Sequence, residues 1–523
     1  MNKILELRPD STLPRIHKAI LISVLSISVL FLFHNILIVN GIPDLKNRNL
    51  KSEVLAEAIR SPQDIKDAKL KSELVAKGLI SPPALKDPKL KLQLVAKGLN
   101  SPTSLAFLAK DDVLVLEKDG ILRRIIGNNT LETPVLDITS IINSTRERGL
   151  LGIAISTDPQ FAKASKSHEN DPNIYLYYTE NSPGKNVNNL CNKKLCHTVK
   201  HVLNSLYSYK MKDGRLVNPK LLLSIPVGAA DIGLEHIGGA ITVGPDKMIY
   251  ITSGDGYPCR NYEDCKKSIN EGALNSKTAN KESGSNPTGA GGILVVSQDG
   301  KPSLKNHILG DNFPLNLYYA YGIRNSFGLD FDPITGNLWD TENGPFFGDE
   351  INLVKPGFNS GWAKIQGVWP IANYNLLVKD LPEGYYFPKV NLTINEDTLF
   401  DFNGNGKYSP PKFIWNDSIG VTAIKFLNSD KLGNEYKNDM FVGTIGKGFL
   451  YHFDLNKERN GLLLGDELKD NVAFNKKQLK DYMFGSGFYG ITGLEVSPDG
   501  CLYVVSISDG KIWRIVPSEP KNS

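Results

Sequence analysis

Apolar and polar residues alternate with a period of two along short stretches of this chain, and turn-forming residues separate the stretches. From about residue 92 one phrase returns six times: an alternating small or apolar run, a turn that in most copies carries Asp-Pro, Pro-Asp or Asp-Gly, and a second apolar run. The copies are SLAFLAKDDVLVLEK from Ser104, GIAISTDPQF from Gly152, AITVGPDKMIYITSGD from Ala240, GLDFDPITGNLWDTENG from Gly328, VTAIKFLNSD from Val421 and GLEVSPDGCLYVVSISDG from Gly493. Such alternation bounded by Gly, Pro and Asp is how strands and their turns read, and helical periodicity is weak throughout. Six phrases over about 430 residues give about 70 residues per unit, and radial repetition is how a long all-β chain avoids exposed sheet edges. The pattern predicts an all-β, six-bladed β-propeller. Its first strand, LQLVAKGL from Leu92, and its last, KIWRIV from Lys511 to Val516, are the expected partners in a closing blade. A pair of sandwiches is the alternative, but it leaves the six-fold return unexplained.

One stretch departs from this rhythm. Ala19 to Asn40 is continuously apolar and contains no Asp, Glu, Lys or Arg. As a helix it would be about 33 Å long, close to the hydrocarbon thickness of a bilayer. Lys3, Arg8, Arg15 and Lys18 precede it, which predicts a cytoplasmic N-terminus and a single-pass anchor in the cell membrane with the propeller on the outer face. A cleaved signal peptide is the rival, but its apolar core is usually shorter and ends in small residues, whereas this run ends Ile-Val-Asn-Gly-Ile-Pro. Between anchor and propeller, Ser61-Pro62, Ser81-Pro82 and Ser101-Pro102 recur every 20 residues behind SEVLAEAIR, SELVAKGLI and LQLVAKGLN. The copies are too few for a solenoid core and read as a Lys-rich spacer, with a recent duplication that has no role as the equal alternative. The expected plan is residues 1–18 cytoplasmic, 19–40 transmembrane helix, 41–91 spacer, 92–517 propeller and 518–523 tail.

Net charge is only +4, which leaves no electrostatic footprint for nucleic acid. Four of the five cysteines form two close pairs in polar stretches, Cys191 with Cys196 and Cys259 with Cys265. Disulfides suit both pairs in an exported chain. Zinc is the rival at the first pair, since His197 and His201 follow it, but the long spacer of a zinc finger is missing. Cys501 lies in a strand-like run and reads as a small buried hydrophobe. Asn128, Asn143, Asn391 and Asn416 open N-x-Ser/Thr triplets compatible with surface glycosylation.

Candidate chemistry clusters where phrases begin and end, the places that a propeller gathers at one funnel. His236 enters one strand and Asp255 leaves the next; a carboxylate bonded to imidazole fixes its tautomer and suits proton abstraction from an alcohol. A structural histidine and a turn aspartate are the plain alternative. Arg324-Asn325 offers a planar fork for anionic oxygens, against a salt bridge to Asp349 or Glu350. Glu342-Asn-Gly344-Pro345 combines backbone carbonyls with carboxylates and suits Ca²⁺, against a tight turn. Asp401-Phe-Asn403-Gly-Asn405-Gly406 matches the first half of a calcium loop, but Lys412 stands where the bidentate Glu belongs, so an Asn-Gly turn competes with a weaker ion site.

Together, GLLGIAISTDPQF, HIGGAITVGPDKMIYITSGDG, YGIRNSFGLDFDP and TENGPFFGDEINLVKPGFNSGW resemble the glucose/sorbosone dehydrogenase family, six-bladed propellers related to the soluble pyrroloquinoline-quinone (PQQ) aldose dehydrogenases. The resemblance spans about Leu92 to Val516. It implies His236 as the general base for the sugar C1 hydroxyl, Asp255 as its orienting carboxylate, and Arg324 with Asn325 at the quinone. It also implies Gly344 and Pro345 as carbonyl ligands of Ca²⁺, Lys447 toward the cofactor and Glu147 toward substrate. Departures are Phe327 and Ala240 where the family can carry Gln and Arg, and Gly490-Ile-Thr492 where the last blade usually supplies arginines to PQQ. The expected activity is a membrane-anchored, extracytoplasmic quinoprotein dehydrogenase that oxidises a sugar and passes electrons to an acceptor the sequence does not name. A non-catalytic propeller that binds a glycan or protein and a Ca²⁺-dependent lactone or ester hydrolase are the alternatives.

Overall fold

A computed structural model describes residues 82–156, 172–181, 201–229, 236–256, 276–303, 307–345, 347–370 and 398–518. These residues form six sheets of four to six strands and one two-stranded ribbon. Apart from strands and turns they contain four 3-10 segments of three residues each. The chain is an all-β propeller.

The six innermost strands are Pro102–Ala109, Leu150–Ile155, Ile241–Val243, Ser326–Phe331, Val421–Phe426 and Ile491–Val496. Each falls on one of the six repeated phrases. Hydrogen bonds link five of the six successive pairs of sheets, and the last of them returns from the sixth sheet to the first. Thr103 Oγ1 donates to Leu150 O, Asp255 N to Arg324 O, Thr341 Oγ1 to Thr422 O, Thr422 Oγ1 to Ile491 O and Thr492 Oγ1 to Pro102 O. Behind each innermost strand the next strands pair antiparallel, as in Asp112–Glu117 with Ile121–Ile126.

The core is divided in the same way, with one hydrophobic cluster between each pair of successive sheets. This explains why the second strands read as unbroken apolar runs. In DVLVLE, Val113 and Val115 face the closing sheet while Leu114 and Leu116 face the second sheet. A strand buried on both faces has no polar side to show, so alternation survives only as a choice of neighbour. Each fully buried Leu or Val contributes about 1.5–3 kcal/mol relative to exposure.

Lys511–Pro517 pairs antiparallel with Leu90–Ala96, Leu92 facing Ile515 and Leu94 facing Trp513, so the first and last strands share the closing sheet. The boundary expected at Leu92 falls inside this strand. Leu90 is already buried, and Ala84–Leu85 pairs with Ser486 and Gly485 at the edge of the fifth sheet. The lysines flanking these residues disguise them as spacer. Of the earlier expectations, the apolar run 19–40, the first repeat copy and the second as far as Ser81, the pairs Cys191–Cys196 and Cys259–Cys265, and Asn391 lie outside the described residues. Among the described residues no helix is long and apolar enough to cross a membrane. Cys501 is free and buried, as expected. Asn416 is only 2% exposed within Phe413–Asp417, so its triplet is not a surface site.

Candidate active site

Strand direction collects the candidate residues at one end of the ring. Innermost strands start at this end and second strands finish there, so the links between sheets share it with the turns that follow second strands. Glu147, His236 and the pair Arg324-Asn325 lie on links into Leu150–Ile155, Ile241–Val243 and Ser326–Phe331. Asp255, Gly344-Pro345 and Lys447 lie just after Ile249–Ser253, Leu338–Glu342 and Met440–Thr444. Asp401, Asn403 and Asn405 do not join them. They form an exposed turn before Lys407–Tyr408, where Asn405 Nδ2 donates to Phe402 O, and no cluster of three metal-ligating side chains includes Asp401 among the described residues.

His236 is the centre. Its Nδ1 lies 2.9 Å from Asp255 Oδ1, and its Nε2 lies 2.7 Å from Arg324 Nη2. All three side chains are buried. A guanidinium only donates, so Nε2 must accept, and the proton of a neutral ring sits on Nδ1, donated to Asp255. That is the tautomer in which Nε2 can take a proton from a hydroxyl. Asp255 is held in turn by Trp362, whose Nε1 donates to Oδ2 at 2.8 Å and whose ring lies 5.4 Å from the Arg324 guanidinium carbon.

The backbone is shaped to present this ring. His236 has φ 57°, a left-handed conformation that a non-glycine residue adopts at a cost. Gly254 makes it possible, because a Cβ there would overlap the carbonyl oxygen of His236. Glu147, expected near substrate, stands beside the histidine and accepts the His236 backbone N–H at 2.6 Å and Asn325 Nδ2 at 3.2 Å through Oε2. Asn325 also accepts Gly238 N at 3.2 Å. In this structure both residues therefore hold the histidine loop.

Arg324 connects the base to the expected calcium corner. Its Nη1 donates to Asn343 O at 2.8 Å and Gly344 O at 2.9 Å, while Nε has no hydrogen-bond partner among the described residues. Burial pushes its pKa down, and Asp255, Glu147, Asp349 and Glu342 act against that shift. Gly344 is fixed by its N–H to Asp349 Oδ1 at 2.9 Å, and a Cβ on it would overlap Phe347 O. Asp349 also accepts from Ser418 Oγ and the backbone of Ile419 and Gly420, which binds this turn to the next link. Lys447 stands on the rim beside Lys476; that neighbour and burial lower it to about 8.

Asp340, Glu342 and Glu350 lie behind Arg324, all buried on Leu338–Glu342 and the strand paired with it. Glu342 Oε1 accepts Arg324 N at 2.6 Å, and both Asp340 oxygens lack a hydrogen-bond partner among the described residues. Burial pushes Asp340 up to about 7, and burial together with Asp340 pushes Glu342 up to about 8. Folded-state pKa values above those of the unfolded chain favour the folded state most below the unfolded values, and this advantage is lost as pH rises through 7 to 8. Thermal unfolding should therefore show a melting temperature that falls from about pH 4, where the unfolded carboxyls ionise, to about pH 8, and Asp340→Asn should flatten the fall. An equal slope in both proteins would refute the assignment.

Sequence reasoning missed Trp362, Glu342 and Asn343 as partners. Trp362 meets Asp255 across 107 residues of chain, and a tryptophan in isolation gives no hint of such a meeting. Its only signal was its place at the end of GFNSGW.

A β-propeller with a buried His–Asp–Arg centre at its loop end defines the general class, a scaffold able to abstract a proton from a bound alcohol. Comparison with known proteins gives the family. A model of the glucose/sorbosone dehydrogenase family matches residues 99–514, and the chain belongs to that family. Membership supports an oxidoreductase, a sugar dehydrogenase of the quinoprotein type. The chain is 25% identical over 353 residues to quinoprotein glucose dehydrogenase B of Acinetobacter calcoaceticus, covering 62% of this chain and 68% of that protein. It is 25% identical over 231 residues to the aldose sugar dehydrogenase YliI of Escherichia coli K12, covering 43% and 51%. Its fold is similar to the apo form of the soluble aldose sugar dehydrogenase from Escherichia coli, with TM-score 0.56 and 19% identity, covering 82% of this chain and 100% of that one.

Proposed function

We propose that this chain is a membrane-anchored quinoprotein dehydrogenase that oxidises the C1 hydroxyl of an aldose outside the cell. In this reading the six sheets are six blades, and residues 19–40 form the anchor. The observation that carries the proposal is the hydrogen-bonded order Asp255, His236, Arg324, which leaves the Nε2 lone pair as the acceptor. A sugar hydroxyl would take the place of Arg324 Nη2 at that nitrogen and lose its proton there.

The residues fit PQQ and Ca²⁺. Arg324 keeps a buried Nε–H with no partner among the described residues, and Lys447 and Lys476 bring two ammonium groups together, an arrangement that an anion relieves. The carbonyls of Gly344 and Pro345 would hold Ca²⁺, with Arg324 releasing Gly344 O. When bound, PQQ supplies a two-electron acceptor for the hydride from the sugar carbon, with Ca²⁺ as Lewis acid. His236 removes the hydroxyl proton, Asp255 and Trp362 keep the ring in its tautomer, and Glu147 with Asn325 keep the loop in place.

The test is reconstitution. Purified full-length protein titrated with PQQ in the presence of Ca²⁺ should show a saturable absorbance change and gain sugar-dependent dye reduction. With neither response the dehydrogenase reading fails. A non-catalytic sugar-binding propeller would then be favoured, because Gly487-Phe-Tyr-Gly-Ile-Thr492 in the last link holds no cation for the cofactor's carboxylates.

A further inference from the structure

The fifth sheet carries a second cluster at the end opposite the funnel. Phe426 pairs with Met440 and Met440 with Phe453 there, and Asp439, His452 and Asp454 stand around this corner. His452 Nε2 lies 3.1 Å from Asp439 Oδ2 and 3.4 Å from Asp454 Oδ1, and these three atoms lie within 4.8 Å of one another. We infer that Asp439, His452 and Asp454 form a binding site for a divalent transition-metal ion of the zinc class.

Three features support an ion over a simple charge pair. First, one imidazole faces two carboxylates, so a single proton on the ring neutralises only one of them, whereas a divalent ion balances both. Second, the ligands are held in place before any ion binds. Tyr436, Phe441 and Phe484 wall the imidazole, with ring centroids 5.1, 5.0 and 6.2 Å away. The Asp439 backbone donates to Tyr436 O and accepts from Leu427 N, and Asp454 O accepts from Leu463 N. Third, the donor set is one nitrogen and two oxygens, which suits zinc, iron or manganese and is a poor match for the all-oxygen shells of Ca²⁺ and Mg²⁺. The Asp454 side chain is 53% exposed, so the ion has a path in and room for water in its remaining positions.

The site would clamp the segment from residue 84 to 89 against the fifth sheet. Tyr436, edge-on to His452, donates its hydroxyl to Asp87 Oδ2 at 2.8 Å, and Lys89 pairs with Glu435 at 3.2 Å. Ala84–Leu85 adds to the same sheet just before them. An ion here would fix the turn that carries Tyr436 and, through it, the segment from residue 84 to 89.

Isothermal titration with ZnCl₂ tests this on the full-length, chelator-treated protein, with excess Ca²⁺ present so that any calcium corner at the funnel stays filled. The wild type should take up one equivalent that His452→Gln does not, and Asp454→Asn should bind that equivalent at least about tenfold more weakly. Zinc should raise the melting temperature of the wild type and leave that of His452→Gln unchanged. Other zinc-binding groups are common to all three proteins, so the difference in stoichiometry isolates this site. Asp454→Asn changes a half-exposed side chain and keeps the test valid if His452→Gln misfolds. Identical zinc uptake by wild type and Asp454→Asn would overturn the proposal.

Discussion

His236→Ala should lower kcat for sugar oxidation by about a thousandfold in the PQQ- and Ca²⁺-reconstituted protein. A positioned general base contributes roughly 10²- to 10⁴-fold, and among the described residues no second base lies against Nε2, whose partner is Arg324. Asp255→Asn should cost nearly as much. An amide can donate to Nδ1, and this would put the ring proton on Nε2, where the base must be free. Trp362→Phe should cost less, about tenfold in kcat with KM little changed. It removes one bond to Asp255 Oδ2 and leaves the imidazole bond to Oδ1. Steady-state kinetics with a dye acceptor give all three values, and circular dichroism checks that each variant is folded. If His236→Ala kept a third of the wild-type kcat, the base would have to be sought elsewhere. If Trp362→Phe fell as far as His236→Ala, its role would be structural and not one of positioning.

The graded order expected of these variants follows from contacts of different legibility. The six phrases located the innermost strands because period-two alternation and Asp-Gly turns are local signals, and phrase boundaries then placed His236, Asp255, Arg324 and Gly344 at one end. The partners were not legible. Glu147 reaches His236 across 89 residues, and Arg324 reaches it across 88. Nothing in a carboxylate or guanidinium states which distant backbone it will meet. Glu147 and Asn325 also hold the histidine loop, a role that depends on register and side-chain reach, neither of which composition encodes. The half calcium loop shows the opposite case: Asp401-Phe-Asn403-Gly-Asn405-Gly406 is a strong local signal, and it folds as an exposed turn apart from the residues at the funnel. The lysines of residues 86–91 hid strands for a third reason. Their long side chains can lie along a sheet edge with the charge in water, so charge alone did not mark a linker.

Deleting residues 1–97 should abolish cooperative folding, while deleting residues 1–62 should leave the melting temperature within about 3 °C of the full-length protein. The longer deletion removes Leu90–Ala96 and opens the ring. It takes Leu90, Val95 and Ala96 out of the clusters on either side of the closing sheet. At about 1.5–3 kcal/mol for each large side chain, with the strand's hydrogen bonds in addition, the loss is comparable to the 5–15 kcal/mol that stabilises a typical domain. It also leaves Lys511–Pro517 as a bare edge, the kind of surface that pairs with other chains. The repeat supplies a sharper comparison. Leu70-Lys-Ser-Glu-Leu-Val-Ala76 matches Leu90-Lys-Leu-Gln-Leu-Val-Ala96 at every position except the third and fourth. Those two positions, Leu92 and Gln93, are half-buried and exposed, whereas the buried Leu90, Val95 and Ala96 recur unchanged as Leu70, Val75 and Ala76. Deleting residues 77–96, one full period, splices Ala76 onto Lys97 and restores a closing strand with every buried residue in place. It also brings Ile65 and Asp67 to the positions of Leu85 and Asp87. That protein should melt cooperatively within a few degrees of the wild type. Deleting residues 87–96, half a period, splices Lys86 onto Lys97 instead. It puts Pro82 and Pro83 at the positions of Leu92 and Gln93, where neither can donate to the ladder, and Lys86 at the position of the buried Ala96. This protein should melt far lower or aggregate. Thermal denaturation with size-exclusion chromatography reads all four proteins, and equal behaviour of the two internal deletions would show that ring closure does not depend on the buried face of Leu90–Ala96.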